Sequence, residues 1–195
     1  MSNQQTNSIN CVSITALLTL FQVDLQFLVS VFPLVFMFHD FEEIIFFKTW
    51  LAKNKDLLRS RFPVLAKRIL PHLEKLSTAG FSLAVAEEFV LLSIITYTSL
   101  WLGNYALWFA VFMAFSIHLI GHFIQFVVLR RYVPSIVTSL LCLPYCIYTL
   151  NSFLSAGIFS PSEIILWTIA GLVLMILNLY FAHQLALKFE EWKVN

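Results

Sequence analysis

The sequence predicts an all-α, polytopic transmembrane helical bundle, and three observations carry that prediction. The chain is 59% hydrophobic and only 12% charged, about half the charged share of an ordinary soluble domain. Its mean hydropathy is +0.83. Its 20 phenylalanines in 195 residues exceed what a soluble fold of this size hides without large apolar patches on its surface. A single transmembrane domain over 1–195 is expected, because the length leaves little room for a second domain.

Crossing a bilayer takes about 20 apolar residues in a helix, and five segments meet that requirement. The first is about 25–47 (LQFLVSVFPLVFMFHDFEEIIFF), interrupted by Pro33 and by a charged cluster. The second is about 78–101, and after the short LGN turn the third covers about 105–129. The fourth, about 133–157, has Pro134 close to its start, where the missing N–H does least harm. The fifth is about 163–187, opened by SPSE, in which Ser160 or Ser162 suits the cap and Glu163 the helix dipole. Residues 1–24 read as an N-terminal extension. Within it, 9–22 (INCVSITALLTLFQ) is apolar but short, and no basic leader or small-residue cleavage motif marks a cleaved signal peptide. A signal-like segment, an interfacial piece and an early start of the first span stay open as readings.

Lys48, Lys53, Lys55, Arg59, Arg61, Lys67, Arg68 and Lys75 are eight of the twelve basic residues. With Arg130, Arg131, Lys188 and Lys193 they follow odd-numbered spans, so all fall on one side, which the positive-inside rule makes cytoplasmic. The expected protein is therefore multi-pass, N-terminus outside and C-terminus cytoplasmic, in a bacterial inner membrane. The mixed apolar and basic stretch at about 50–76 reads as an amphipathic helix on the anionic cytoplasmic leaflet. That stretch lacks the features of a nucleic-acid module, and no zinc-ribbon, P-loop or Rossmann fingerprint occurs. Cys11, Cys142 and Cys146 read as small buried hydrophobes, not a disulfide framework.

Against this apolar background the ionisable residues form a pattern. Counted from the cytoplasmic ends of four spans, Glu42, Glu43, His39, Glu87, Glu88, His118, His122 and His183 lie roughly 6–16 Å deep. His39, Glu42 and Glu43 are i, i+3 and i+4 and share one helix face, as do His118 and His122 at i and i+4. Inserting each charge costs about 2.5–3.5 kcal/mol, and five carboxylates, Asp40 included, repel one another unless protonated or held by cations. The hydrophobic segments hold no lysine or arginine to neutralise them. A divalent metal supplies the missing charge, and histidines with glutamates are the set expected for zinc, or for iron or manganese in one or two ions. One member of each Glu pair is expected to ligate and the other to act as general base or to support a ligand from behind. The working assignment gives the metal to His39, Glu42, Glu87, His118, His122 and His183, with Glu43 and Glu88 catalytic. Asp40 points about 100° away from His39 and is expected behind the ligands or at the lipid interface. His72, at the interface, is expected to have no catalytic role.

The HDFEE at 39–43, with His118 and His122 and then LRRYVPSIVTSLLCLPY at 129–145, resembles the HXXEE family of small membrane proteins. The similarity covers about 25–150; it departs at Ser135, where the family pattern leads one to expect glycine. The resemblance implies a presumed metal-binding or catalytic motif and no substrate. A Glu-Glu pair with helix histidines also resembles the intramembrane proteases of the glutamate abortive-infection type. Those, however, carry an arginine four residues on, where this chain reads FVLL.

The expected function is a metal-dependent membrane enzyme with its site in the cytoplasmic half of the bilayer, a hydrolase acting on a lipid or other apolar substrate. A di-iron type lipid hydroxylase or desaturase is the alternative. A proton- or metal-coupled transporter, or a non-catalytic metal- or haem-binding membrane protein, is the reading from another class. Expected partners are membrane lipids and an apolar substrate, with a homodimer where a transport pathway has to be built.

Overall fold

A computed structural model of the chain describes residues 24–194, and every regular element among them is a helix. The expectations for the N-terminal extension, including 9–22 and Cys11, lie outside the described residues. The helices are α1 Leu25–Arg61, α2 Pro63–Lys75, α3 Thr78–Leu102, α4 Ala106–Leu129, α5 Ile136–Ser155 and α6 Pro161–Val194.

Local chemistry accounts for most of the boundaries. Asp24 caps α1 by accepting from the Gln26 N–H at 3.2 Å, satisfying one of the first turn's free donors. Pro33 removes one donor inside α1, and near that loosened turn Tyr145 donates its hydroxyl to the Leu28 carbonyl at 2.8 Å. α1 stops at Phe62, held off helical geometry by the following proline (φ −134°, ψ 61°). Ser77 caps α3 through the Gly80 N–H at 3.1 Å, and Gly103 ends that helix in the left-handed region. At α6 Ser160 and Glu163 form a reciprocal capping box: Ser160 N–H donates to Glu163 Oε2 at 2.8 Å and Glu163 N–H to Ser160 Oγ at 3.4 Å.

Four helices are long and apolar enough to cross a membrane: Thr78–Leu102, Ala106–Leu129, Ile136–Ser155 and Pro161–Lys193. The expected first span is not among them. Residues 25–47 are helical, but α1 carries the HDFEE carboxylates and continues without a break to Arg61. The amphipathic helix expected at 50–76 is likewise divided between the end of α1 and α2.

α1 packs against α3 and α5, α3 against α6, and α4 against α6 and α5, which closes a ring with α1 and α4 facing each other across its middle. Their backbones stay apart because aromatic rings fill the gap. Phe32 meets Trp108, Phe112 and Phe115 edge-on at 5.5, 6.0 and 5.5 Å, and Trp108 stacks on Phe112 and Phe153. Each such contact adds about 0.5–1.5 kcal/mol beyond area burial. On the ring's other side α6 comes so close to α4 that a Cβ at Gly171 would overlap the Ala110 carbonyl. Outward, α6 exposes Ile165, Ile169, Ile176 and Phe181, the face expected of a lipid-contacting helix. Cys142 and Cys146 are free and buried.

Candidate metal centre

The aromatic core turns directly into the polar cluster. Phe32, Phe36, His39 and Glu43 follow at steps of four, three and four along α1, while Trp108, Phe112, Phe115 and His122 lie on the facing stripe of α4 with His118 beside them. These steps keep one helix face toward one neighbour. Phe115 closes the aromatic half, its ring edge-on to His39 at 5.6 Å. One turn further the rings are imidazoles: His39 lies 5.5 Å from His118 and 5.2 Å from His122 between ring centres, and His118 lies 4.4 Å from His122.

His39, Glu43, His118 and His122 each offer one donor atom, and all four atoms lie within 4.8 Å of one another. His122 Nε2 is 2.9 Å from His118 Nε2 and 3.2 Å from Glu43 Oε1. Tetrahedral donors with bonds of about 2.0–2.2 Å to a shared ion stand roughly 3.3–3.6 Å apart, so these two pairs are already close to ligand spacing.

Hydrogen bonding fixes how His39 is presented. Thr138 Oγ1 has one proton to give, and its shortest contact is to Glu42 Oε2 at 2.7 Å. The same oxygen is then an acceptor for His39 Nδ1–H, 3.3 Å away. A proton on Nδ1 leaves Nε2 with its lone pair free. That Nε2 is fully buried, has no hydrogen-bond partner and lies 4.0 Å from Asp40 Oδ1. An orphaned buried imidazole nitrogen among two more imidazoles and a carboxylate fits a divalent metal of the zinc, iron or manganese type.

Glu42 does something other than the metal ligation expected of it. Its Oε1 accepts from the Tyr132 hydroxyl at 2.6 Å and its Oε2 from the Thr138 backbone N–H at 2.8 Å. The carboxylate thus caps the first turn of α5 from outside, where the helix dipole favours negative charge. Burial, and then Glu42 itself, push the Tyr132 phenol above its ordinary pKa, so it stays a donor. The sequence offered Tyr132 and Thr138 only as part of the RRYVPSIVT block; their reach back to the motif needed the fold.

The remaining expected residues separate. Glu88 lies within coulombic reach of Glu43 and Asp40, beside the cluster but not in it. Glu87 turns away to Asn178, whose amide donates to it at 3.2 Å. His183 is remote from the cluster: its Nδ1 is 2.8 Å from the Leu179 carbonyl, and its ring lies 5.2 Å from that of His72 on α2. His183 lies on α6, which packs on α3 and α4 and not on the motif face of α1. Asp40 is 4% exposed, so it is buried beside His39 and does not lie at a lipid interface.

A family profile described as "Protein of unknown function with HXXEE motif" matches residues 30–149, well over half of the chain. The chain belongs to the HXXEE family. The matched region runs from α1 into α5 and contains every residue of the cluster; His183 lies beyond it. Comparisons with curated proteins and with solved structures gave no match. In this HXXEE protein the motif's three residues divide between two surroundings: His39 and Glu43 enter the donor cluster, and Glu42 faces α5.

Proposed function

We propose that this HXXEE protein is a membrane-embedded, metal-dependent hydrolase acting on a lipid or other apolar substrate. The observation that carries the reading is the convergence of His39, Glu43, His118 and His122, with the His39 Nε2 lone pair left without a partner. Three neutral imidazoles and one carboxylate would hold zinc, with water entering as a fifth ligand or in place of the carboxylate. A divalent ion there would supply Lewis acidity toward a carbonyl or phosphoryl oxygen and a water acidified toward neutrality.

The chain's own residues do the rest. Glu88 is the general base, close enough to Glu43 to share the site's field and free of the four-atom cluster. Asp40 lies beside the His39 donor nitrogen, 4.0 Å from Nε2. Glu42 and Thr138 fix the tautomer and aim of His39, as outer hydrogen bonds do for ligating histidines. The N-terminal part of α1 is taken as a fifth span, which places the cluster in the cytoplasmic half of the bilayer and makes an apolar substrate its natural guest.

Elemental analysis of detergent-purified protein beside the His118→Ala/His122→Ala variant tests this. One equivalent of zinc, lost in the variant, is the expected result and directs screening to lipid esters and amides. Iron or manganese in pairs would move the reaction to oxidation of acyl chains. No stoichiometric metal, under chelator-free purification, would overturn the metal reading and favour proton transfer along Asp40, Glu43 and Glu88.

A further inference from the structure

We propose that the seam between α1 and α5 seats a lipid with an anionic, phosphate-type headgroup, held by Lys53 and Arg131, its acyl chain lying against Val35, Phe38 and Leu141. The inference rests on the reading above and names the substrate class that the same site would take.

Two hollows lie along α1 on opposite sides of Glu42, the first against the α4–α5 connection and the second against α5. The first, of about 260 Å³, begins at Phe46 and is lined by Trp50, Lys53, Asn54, Arg131 and Tyr132. No acidic residue lines it. Among the described residues neither Lys53 nor Arg131 has a protein acceptor, whereas their neighbours are committed: Lys55 and Arg59 to the Glu74 carboxylate at 3.8 and 3.2 Å, and Lys48 to the Glu74 carbonyl at 3.1 Å. The wall is fixed, because the Trp50 indole donates to the Tyr132 carbonyl at 2.6 Å and Phe46 meets the Tyr132 ring edge-on. Two unpaired cations framed by Trp and Tyr are the groups that read an anionic headgroup at a membrane surface.

The second hollow, about 240 Å³, lies between Val31–Phe38 of α1 and Leu141–Tyr145 of α5 and is almost wholly apolar. It runs about 10 Å along α1. A phosphate alone would fill only the first hollow, and a hydrocarbon only the second; one lipid fills both. Its linkage region then passes Glu42 and Tyr132, the hydrogen-bonded pair that reaches His39 through Thr138.

Binding of phosphatidylglycerol, phosphatidylcholine and inorganic phosphate to the detergent-solubilised full chain, followed by native mass spectrometry, tests the seat. Phosphatidylglycerol should bind in preference to phosphatidylcholine, and Lys53→Gln/Arg131→Gln should weaken it about thirty-fold. Lys53→Arg/Arg131→Lys, which keeps both charges, should restore it; failure to restore would overturn the charge reading. Leu141→Trp should fill the groove and release the lipid, and undiminished binding in that variant would overturn the acyl path. Equal binding of the two lipids, or complete displacement of phosphatidylglycerol by millimolar phosphate, would overturn the lipid assignment. Metal content measured in parallel separates the two readings. Metal-free wild type that still prefers phosphatidylglycerol would support the seat while removing the metal reading, and metal-loaded protein without that preference would do the reverse.

Discussion

At the scale of single residues the HXXEE motif resolves into a division of labour that follows from 100° steps around a helix. Consecutive Glu42 and Glu43 cannot face the same neighbour, so one reaches α5 and the other α4. Removing Glu42's hold should be felt in metal affinity, not in ligand count. Thr138→Val, which deletes the hydroxyl between Glu42 and His39, is expected to weaken metal binding about 10–100-fold. Thr138→Ser should retain it in the same competition titration, and equal affinities for both variants would show that the Thr138 hydroxyl does not aim the imidazole. Ser135 makes a second prediction. Its φ is 74°, in the left-handed region that favours glycine, and its buried hydroxyl faces the Glu43 carboxylate. Ser135→Gly should relieve about 1–2 kcal/mol of backbone strain, less about 0.5–1 kcal/mol of chain entropy. A net gain of about 0–1.5 kcal/mol is expected in chemical unfolding; a loss would show that the bond from this hydroxyl to Glu43 outweighs the strain. Much of this scale was legible beforehand. The i, i+4 spacing of His118 and His122 put both on one face, and the departure from glycine marked position 135. The choice between Glu42 and Glu43 was not legible, because it depends on which helix lies on each side of α1.

Helix boundaries followed sequence signals where those were local and failed where tertiary contacts decided. Ser160, one of the two serines read as a cap, opens α6 with Glu163, and Pro63 ends α1 where an X-Pro pair should. The first helix nevertheless does not stop after the motif. With no breaker before Phe62, it continues while Lys48, Lys55 and Arg59 tie it to Glu74 on the returning α2. The closest approach between elements was also hidden in the sequence: nothing local distinguishes Gly171 from Gly121, yet only Gly171 abuts a backbone carbonyl. Gly171→Val should therefore push α6 off α4 and cost at least the 1–3 kcal/mol or so of an overpacked core. Gly121→Ala, with open space around the added methyl, should be neutral or stabilising by up to about 1 kcal/mol. Equal stabilities in a thermal scan of the two variants would mean that the α4–α6 crossing is looser than the structure has it.

For the whole molecule, the order of helices around the ring puts α1 and α4 opposite each other and makes the cluster a product of topology, assembled across the bundle from residues about 80 apart in sequence. The same ring raises the question of how α1 sits in the membrane. α3 to α6 are four crossings by length and composition, which returns the chain at Val194 to the side on which α3 begins. α6, at 34 residues, is about 51 Å long, against a hydrocarbon core of about 30 Å. Its C-terminal end thus projects on the side where Glu190 accepts from the Ser77 N–H at 3.0 Å, and that side carries the basic α1–α2 hairpin. If α1 also crosses, Asp24 lies on the opposite side with Gly103 and Gly157; if α1 merely lies along the bundle, Asp24 stays with Lys53. Single cysteines at positions 24, 53, 103, 131 and 157 of a cysteine-free chain, in sealed inverted vesicles, distinguish the two with a membrane-impermeant maleimide. Labelling is expected at 53 and 131 and protection at 24, 103 and 157. Labelling at 24 together with 53 would leave four crossings. The cluster would keep its depth, because His118 and His122 belong to the α4 crossing and His39 and Glu43 stay beside them, but the fifth span on which the proposed orientation rests would be lost.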